Sequence, residues 1–144
     1  GDKGPRVLQQ KLKQKGVKDS DIQQALYLYE GDEQYQVALH TAQKALRKFH
    51  HNSQREVKQK LQQLLMTKGF SSDISKRVLA EIDFSEIEEQ ENDALELQGE
   101  KLWRKNQRFE PAKRRQKVKQ SLYQKGFQLD QIDAFIRGKE EEDE

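Results

Sequence analysis

The side chains that could do chemistry in this sequence are cations, and they fall in two blocks. Arg47, Lys48, Arg55, Lys58 and Lys60 lie within residues 44–60, and Arg104, Lys105, Arg108, Arg114, Arg115, Lys117 and Lys119 within residues 101–119. Lys and Arg repeated at equivalent places suit a polyanion: the phosphates of a nucleic-acid backbone, or an acidic groove on a protein. The competing reading is a solvated face whose charge is balanced elsewhere in the fold. Residues 81–100 hold nine acids and no Lys or Arg, so pairing of 81–100 with 101–119 would satisfy both blocks, and contact of the acids with a basic partner is the alternative. Basic residues at a helix start oppose the helix dipole, so Arg114 and Arg115 call for some other reason to be there.

Catalytic patterns are missing. Glu88, Glu89 and Glu91 could imitate an acid–base pair, yet charged helix surface accounts for them. His50 and His51, with His40 upstream, lack a third ligand at a spacing that fits a metal. The chain has no cysteine, which removes disulfides, thiolate metal sites and thiol catalysis. There is no Gly-rich phosphate loop, no Ser-His-Asp order in a turn context and no dinucleotide fingerprint. We therefore expect no enzyme, no cofactor and no metal site.

The elements that must position the cations are helices. Of 144 residues, 36% are charged and 33% hydrophobic, and mean hydropathy is −1.15. That is too polar for one large core and points to thin layers with much helix surface in water. Gln, Lys, Glu, Leu and Ala dominate between the two prolines, Pro5 and Pro111, and all are good helix formers. No segment alternates as a strand would, so the fold is read as all-α. No apolar run reaches the ~18 residues of a membrane span and no signal peptide opens the chain, so a cytoplasmic, membrane-free monomer is expected.

One motif recurs three times. Leu8-x3-Leu12-x2-Lys15-Gly16 returns as Leu61-x3-Leu65-x2-Lys68-Gly69 and as Val118-x3-Leu122-x2-Lys125-Gly126, each followed by an apolar residue (Val17, Phe70, Phe127). The apolar pair is one stripe of a helix. The lysine suits the negative helix end, and the glycine can take the left-handed conformation that ends it. Asp19 or Ser20, Ser71 or Ser72, and Asp130 are candidate caps for a second helix, which carries Ile22, Leu26 and Leu28, then Ile74, Val78 and Ile82, then Ile132, Phe135 and Ile136. A longer third helix follows at roughly 32–50 and 84–107. Pro5 and Pro111 suit first helical turns. The division is thus three-helix repeats at 4–50 and 53–109, an incomplete two-helix repeat at 111–138, and a frayed acidic tail at 139–144. Stacked tandem three-helix repeats would form an elongated, curved array of right- or left-handed sense. Trp103, beside Leu102, reads as core, with base stacking or a partner contact as the alternative. Tyr27, Tyr29, Tyr35, Phe49 and Phe109 read as repeat packing. Replacing Arg114, Arg115, Lys117 and Lys119 is expected to weaken a partner without lowering the melting temperature.

The opening Gly4-Pro5-Arg6-Val7-Leu8 with its Lys15-Gly16, and the three copies of the Lys-Gly helix end, resemble the RecX family of bacterial regulatory proteins over about residues 4–138. The resemblance implies tandem three-helix repeats and a cytoplasmic modulator of the RecA recombinase. Such a protein binds RecA, lies in the groove of its filament on single-stranded DNA, and restrains ATP hydrolysis, strand exchange and coprotease activity. That places it in DNA repair and the SOS response. DNA or RNA bound directly by the basic faces is the alternative target, and a general protein-interaction scaffold is a third reading. The chain opens at a repeat boundary, so a further repeat upstream belongs to the family pattern. The third copy departs from that pattern: Val118 replaces Leu, the Gly-Pro opening is missing, and no third helix follows. No catalytic residue is implied.

Overall fold

The computed structural model describes residues 4–28 and 32–144, with side chains at 4–26 and 33–144. The expectations for the Tyr27 and Leu28 side chains and for Tyr29 fall outside these residues. Among the described residues there are eight α-helices and no strand: α1 (Pro5–Gln14), α2 (Asp19–Leu28), α3 (Asp32–Leu46), α4 (Gln54–Thr67), α5 (Ser72–Glu81), α6 (Ser85–Lys105), α7 (Pro111–Gln124) and α8 (Leu129–Glu142). Two compact units comprise Gly1–Lys48 with Lys58–Ile82, and Phe49–Val57 with Asp83–Glu144.

The Lys-Gly motif ends α1, α4 and α7 as its chemistry requires. Gly16, Gly69 and Gly126 are the described residues with positive φ, at 80°, 94° and 93°. The amide after each glycine reaches back over the helix end, Phe70 N–H to the Leu65 carbonyl at 3.0 Å and Phe127 N–H to Leu122 at 3.3 Å. That 6→1 bond satisfies an otherwise orphaned carbonyl. Phe70 and Phe127 fold inward and are each 2% exposed.

The same helix ends also receive the start of the preceding copy. Gly4 N–H donates to the Lys68 carbonyl at 2.6 Å, and Arg6 Nη2 donates to Met66 at 2.8 Å. In the second unit the Ser53 hydroxyl donates to the Lys125 carbonyl at 2.5 Å while accepting the Glu56 amide at 3.1 Å as the cap of α4. A donor-bearing helix N-terminus thus meets an acceptor-bearing C-terminus at both joints, which favours the contact on charge as well as hydrogen bonding.

In the first unit Ile22, Tyr35, Ala38, Ala42, Leu61, Leu65, Val78 and Ile82 are buried, while Leu8 and Leu12 of α1 are half-buried. The Arg77 guanidinium lies 4.0 Å over the Tyr35 ring. Ser71 caps α5, its hydroxyl accepting the Ile74 amide at 3.2 Å. In the second unit α6, α7 and α8 enclose Ala94, Leu95, Trp103, Val118, Leu122, Phe127, Ile132 and Ile136, with Leu102 and Phe135 packed against them. Each large side chain buried this way contributes roughly 1.5–3 kcal/mol. Trp103 therefore takes the core reading.

Three local expectations are corrected. The cap of α8 is Gln128, with Asp130 inside the first turn; its carboxylate instead accepts the next amide, Gln131 N–H, at 2.9 Å. The long helices stop at Leu46 and Lys105, the latter because Asn106 Nδ2 donates to the Leu102 carbonyl at 2.8 Å. The acidic run after residue 138 is not a frayed tail. α8 continues through Glu142 because Glu140 and Asp143 find cationic partners on α7.

Candidate functional site

The short connection after α6 builds the candidate surface. Phe109 N–H donates to the Asn106 carbonyl at 3.2 Å, turning the chain so that Pro111 opens α7. The half-buried Phe109 ring collects cations from both sides: Arg108 Cζ at 4.3 Å, Lys113 Nζ at 4.8 Å and Lys117 Nζ at 4.9 Å from its centroid. Lys113 and Lys117 stand four residues apart and so share one face of α7. Each cation–π contact contributes about 0.5–1 kcal/mol at such an exposed place, enough to bias side-chain positions that like charges would otherwise spread apart. A groove of about 400 Å³ runs alongside, lined by Lys105, Arg108, Phe109 and Lys117 with Asn106, Gln120, Ser121 and Gln124. A basic rim over an amide-rich floor can hold an acidic or phosphate-bearing chain.

The other α7 cations are used differently. Arg114 stacks 3.8 Å over the Trp103 ring and donates from Nε and Nη2 to the Trp103 carbonyl at 3.0 and 2.7 Å. Its Nη1 reaches Asp143 Oδ2 at 3.2 Å. Arg115 forks onto Glu140, with contacts of 2.6 and 3.0 Å; that bond raises the Arg115 pKa and lowers the Glu140 carboxyl. Lys119 pairs with Asp133 at 3.0 Å. Arg114 is therefore a structural clamp, which corrects the expectation that its replacement spares stability.

The remaining sequence candidates lie elsewhere. Arg104 lines a cavity of about 680 Å³ with Asp93, Glu96, Glu100 and Lys139. Arg55 is exposed at the joint with Gly126. Arg47, Lys48, Lys58 and Lys60 are exposed and belong to the first unit. The acids of 81–100 do not supply the partners of α7. Glu91 is buried and accepts the Gln54 amide at 3.0 Å, where negative charge suits the start of α4. Glu100 holds Lys139 at 2.7 Å, and this bond is the largest cause of the raised Lys139 pKa. His50 and His51 sit edge to face, 6.4 Å apart, and among the described residues no three His, Asp or Glu could hold a metal. Phe109 as an organiser of cations and Lys113 as a member of the site were both missed in the sequence, although Phe109, Lys113 and Lys117 recur at i, i+4, i+8.

Comparison with known proteins adds what geometry alone does not. The family model for the third three-helix domain of RecX matches residues 32–79 and again 88–136, and the model for its second three-helix domain matches residues 1–26. The chain belongs to the RecX family. Regulatory protein RecX of Enterococcus faecalis is 50% identical over 141 residues, covering 98% of this chain and 53% of that protein. RecX of Levilactobacillus brevis is 39% identical (94% of this chain, 51% of the relative) and that of Bacillus licheniformis 40% (93% and 51%). The chain thus spans about half the length of the curated relatives it matches. No solved structure matches it. The two third-domain matches cover α3–α5 and most of α6–α8, placing the long helix first, whereas the division read from the sequence placed it last. As regulatory proteins, the RecX relatives carry no enzyme name, and no described helix here is long and apolar enough to cross a membrane.

Proposed function

We propose that this chain is the repeat region of a RecX regulator that binds RecA and its filament on single-stranded DNA, restraining ATP hydrolysis and strand exchange without catalysis of its own. Family membership supports the target, and the observation that carries the contact surface is the convergence of Arg108, Lys113 and Lys117 on Phe109 beside Lys105. These cations face outward, whereas Arg114, Arg115 and Lys119 are engaged by α8.

The test is RecA's single-strand-dependent ATP hydrolysis with this chain titrated in, the full-length E. faecalis relative serving as positive control. Inhibition at or below one chain per RecA is expected; saturating chain with no inhibition sinks the proposal. Direct nucleic-acid binding is the second reading, favoured by the amide-lined basic groove. It predicts affinity for naked single strands that falls steeply with salt, by about 0.7 in log–log slope per phosphate contacted.

A further inference from the structure

We propose that the last turn of α8 is a built-in pseudo-ligand: Glu140 and Asp143 occupy a carboxylate site on α6 and α7 that takes the paired carboxylates of an acidic segment on a protein partner. The inference deepens the protein-partner reading above and rests on it. The site has two converging points. Arg115 presents its planar fork to Glu140, with Nη2 at 2.6 Å and Nε at 3.0 Å, the geometry guanidinium offers to a carboxylate. Beside it, Trp103 Nε1–H at 3.1 Å and Arg114 Nη1 at 3.2 Å both donate to one oxygen, Asp143 Oδ2. Glu140 and Asp143 stand three residues apart, so one helical turn fills both points. Trp103, Phe109, Pro111 and Arg114, with these two acids, also line a cavity of about 330 Å³.

The occupant is loosely held. The Arg115 and Glu140 side chains are 51% and 31% exposed and Asp143 is 52% exposed, so the pairs are screened and weak. An internal competitor lowers apparent affinity by the fraction of time the site is filled, and a partner presenting many acidic copies, as a filament does, overcomes this through effective concentration. A protein partner is favoured over nucleic acid because the groups seated here are planar carboxylates on a helix.

The experiment compares the intact chain with E140Q/D143N, which keeps side-chain size and leaves an acceptor for Trp103 Nε1. Binding of poly-L-glutamate and of an oligothymidylate of similar charge is measured at low salt, with thermal melts to confirm folding. We expect poly-L-glutamate to bind E140Q/D143N about threefold to tenfold tighter, the range set by two exposed pairs, and oligothymidylate to change less than about twofold. The charge swap R115E/E140R, which restores the pair with opposite polarity, is expected to lose poly-L-glutamate binding while remaining folded. Equal poly-L-glutamate affinity in the two proteins overturns the proposal, as does a gain confined to oligothymidylate. A poly-L-glutamate gain with no effect of the chain on RecA's ATP hydrolysis upholds the carboxylate site and sinks only the RecA reading.

Discussion

Arg114 is the residue whose removal tests the second unit most directly. Its side chain is 16% exposed, it covers the Trp103 ring at 3.8 Å, and two of its nitrogens share the Trp103 carbonyl near the end of α6. That carbonyl belongs to the last helical turn, where intrahelical donors run out, so Arg114 caps α6 from the start of α7. Replacing Arg114 by Ala removes a charge-assisted hydrogen bond worth about 1.5–3 kcal/mol and a partly desolvated cation–π contact of roughly 0.5–2 kcal/mol. The bond to the half-exposed Asp143 adds little. The expected loss is about 2–4 kcal/mol, the upper range being unreachable because water can reach the vacated carbonyl. Lys at this position keeps the charge but neither the fork nor the planar stack, so R114K is expected to lose about 1–2 kcal/mol.

Trp103 is the only tryptophan and lies in the second unit's core, so its fluorescence reports on that unit. Urea unfolding followed by Trp103 emission and by far-ultraviolet circular dichroism gives the difference from the midpoint shift at constant slope; urea leaves the ion pairs unscreened. A loss below about 0.5 kcal/mol for R114A, the level of an ordinary surface change, refutes the clamp. So does an R114K as damaging as R114A.

G126V is expected to lose at least about 2 kcal/mol in the same assay: the residue sits at φ +93° and a Cβ would lie 2.6 Å from the Ser53 hydroxyl. At Gly99 a Cβ would lie 2.5 Å from the Phe135 ring, so G99A is expected to lower the melting temperature measurably although alanine favours helix. The Glu140 carboxyl is held below its ordinary 4.5 by the Arg115 hydrogen bond, so its contribution is complete above that pH and disappears as pH falls through the lowered value. An acid limb in Trp103 emission, missing in E140Q, is the expected readout. Lys139, raised above 10.5 by Glu100 and Glu142, contributes below that pH and is lost as pH rises through its raised value, so melting temperature should also fall on the alkaline side. K113A/K117A, with both cations exposed, should weaken RecA inhibition several-fold while melting as the parent does; unchanged inhibition removes the Phe109 surface from the contact.

What could be read from the sequence was what local rules govern. Positive φ at Gly16, Gly69 and Gly126 follows from a lysine and an apolar pair that end a helix in one place each time, and Ser71 caps α5 because its hydroxyl can reach the Ile74 amide. Asp130 satisfies the same composition rule, but the backbone turned one element earlier, at Gln128. The site was less legible because its members meet through packing. Blocks of charge along the chain suggested that 101–119 would be balanced by 81–100. α8, however, packs against α7 and brings Asp133, Glu140 and Asp143 to it. Phe109 looked like a packing residue because nothing local to it shows Lys113 and Lys117 arriving from the next helix.

The cost of two arginines in the early part of α7 is resolved by the same geometry. Positive charge near a helix N-terminus is unfavourable through the dipole, and Glu110 provides no side-chain cap there. Asp143 and Glu140 bring negative charge from α8 to Arg114 and Arg115, so the start of α7 is neutralised in space although its sequence is basic. The consequence for recognition is a subtraction. Of the α7 cations, Lys113 and Lys117 gather at Phe109 with Arg108, while Arg114, Arg115 and Lys119 are already met by carboxylates. An anionic partner therefore meets the Phe109 groove at full charge and reaches Arg115 only by displacing Glu140. Raising salt weakens the attraction to the groove and the internal pair together. Affinity of the intact chain should consequently fall less steeply with salt than that of E140Q/D143N, in which only the partner contact is left to screen.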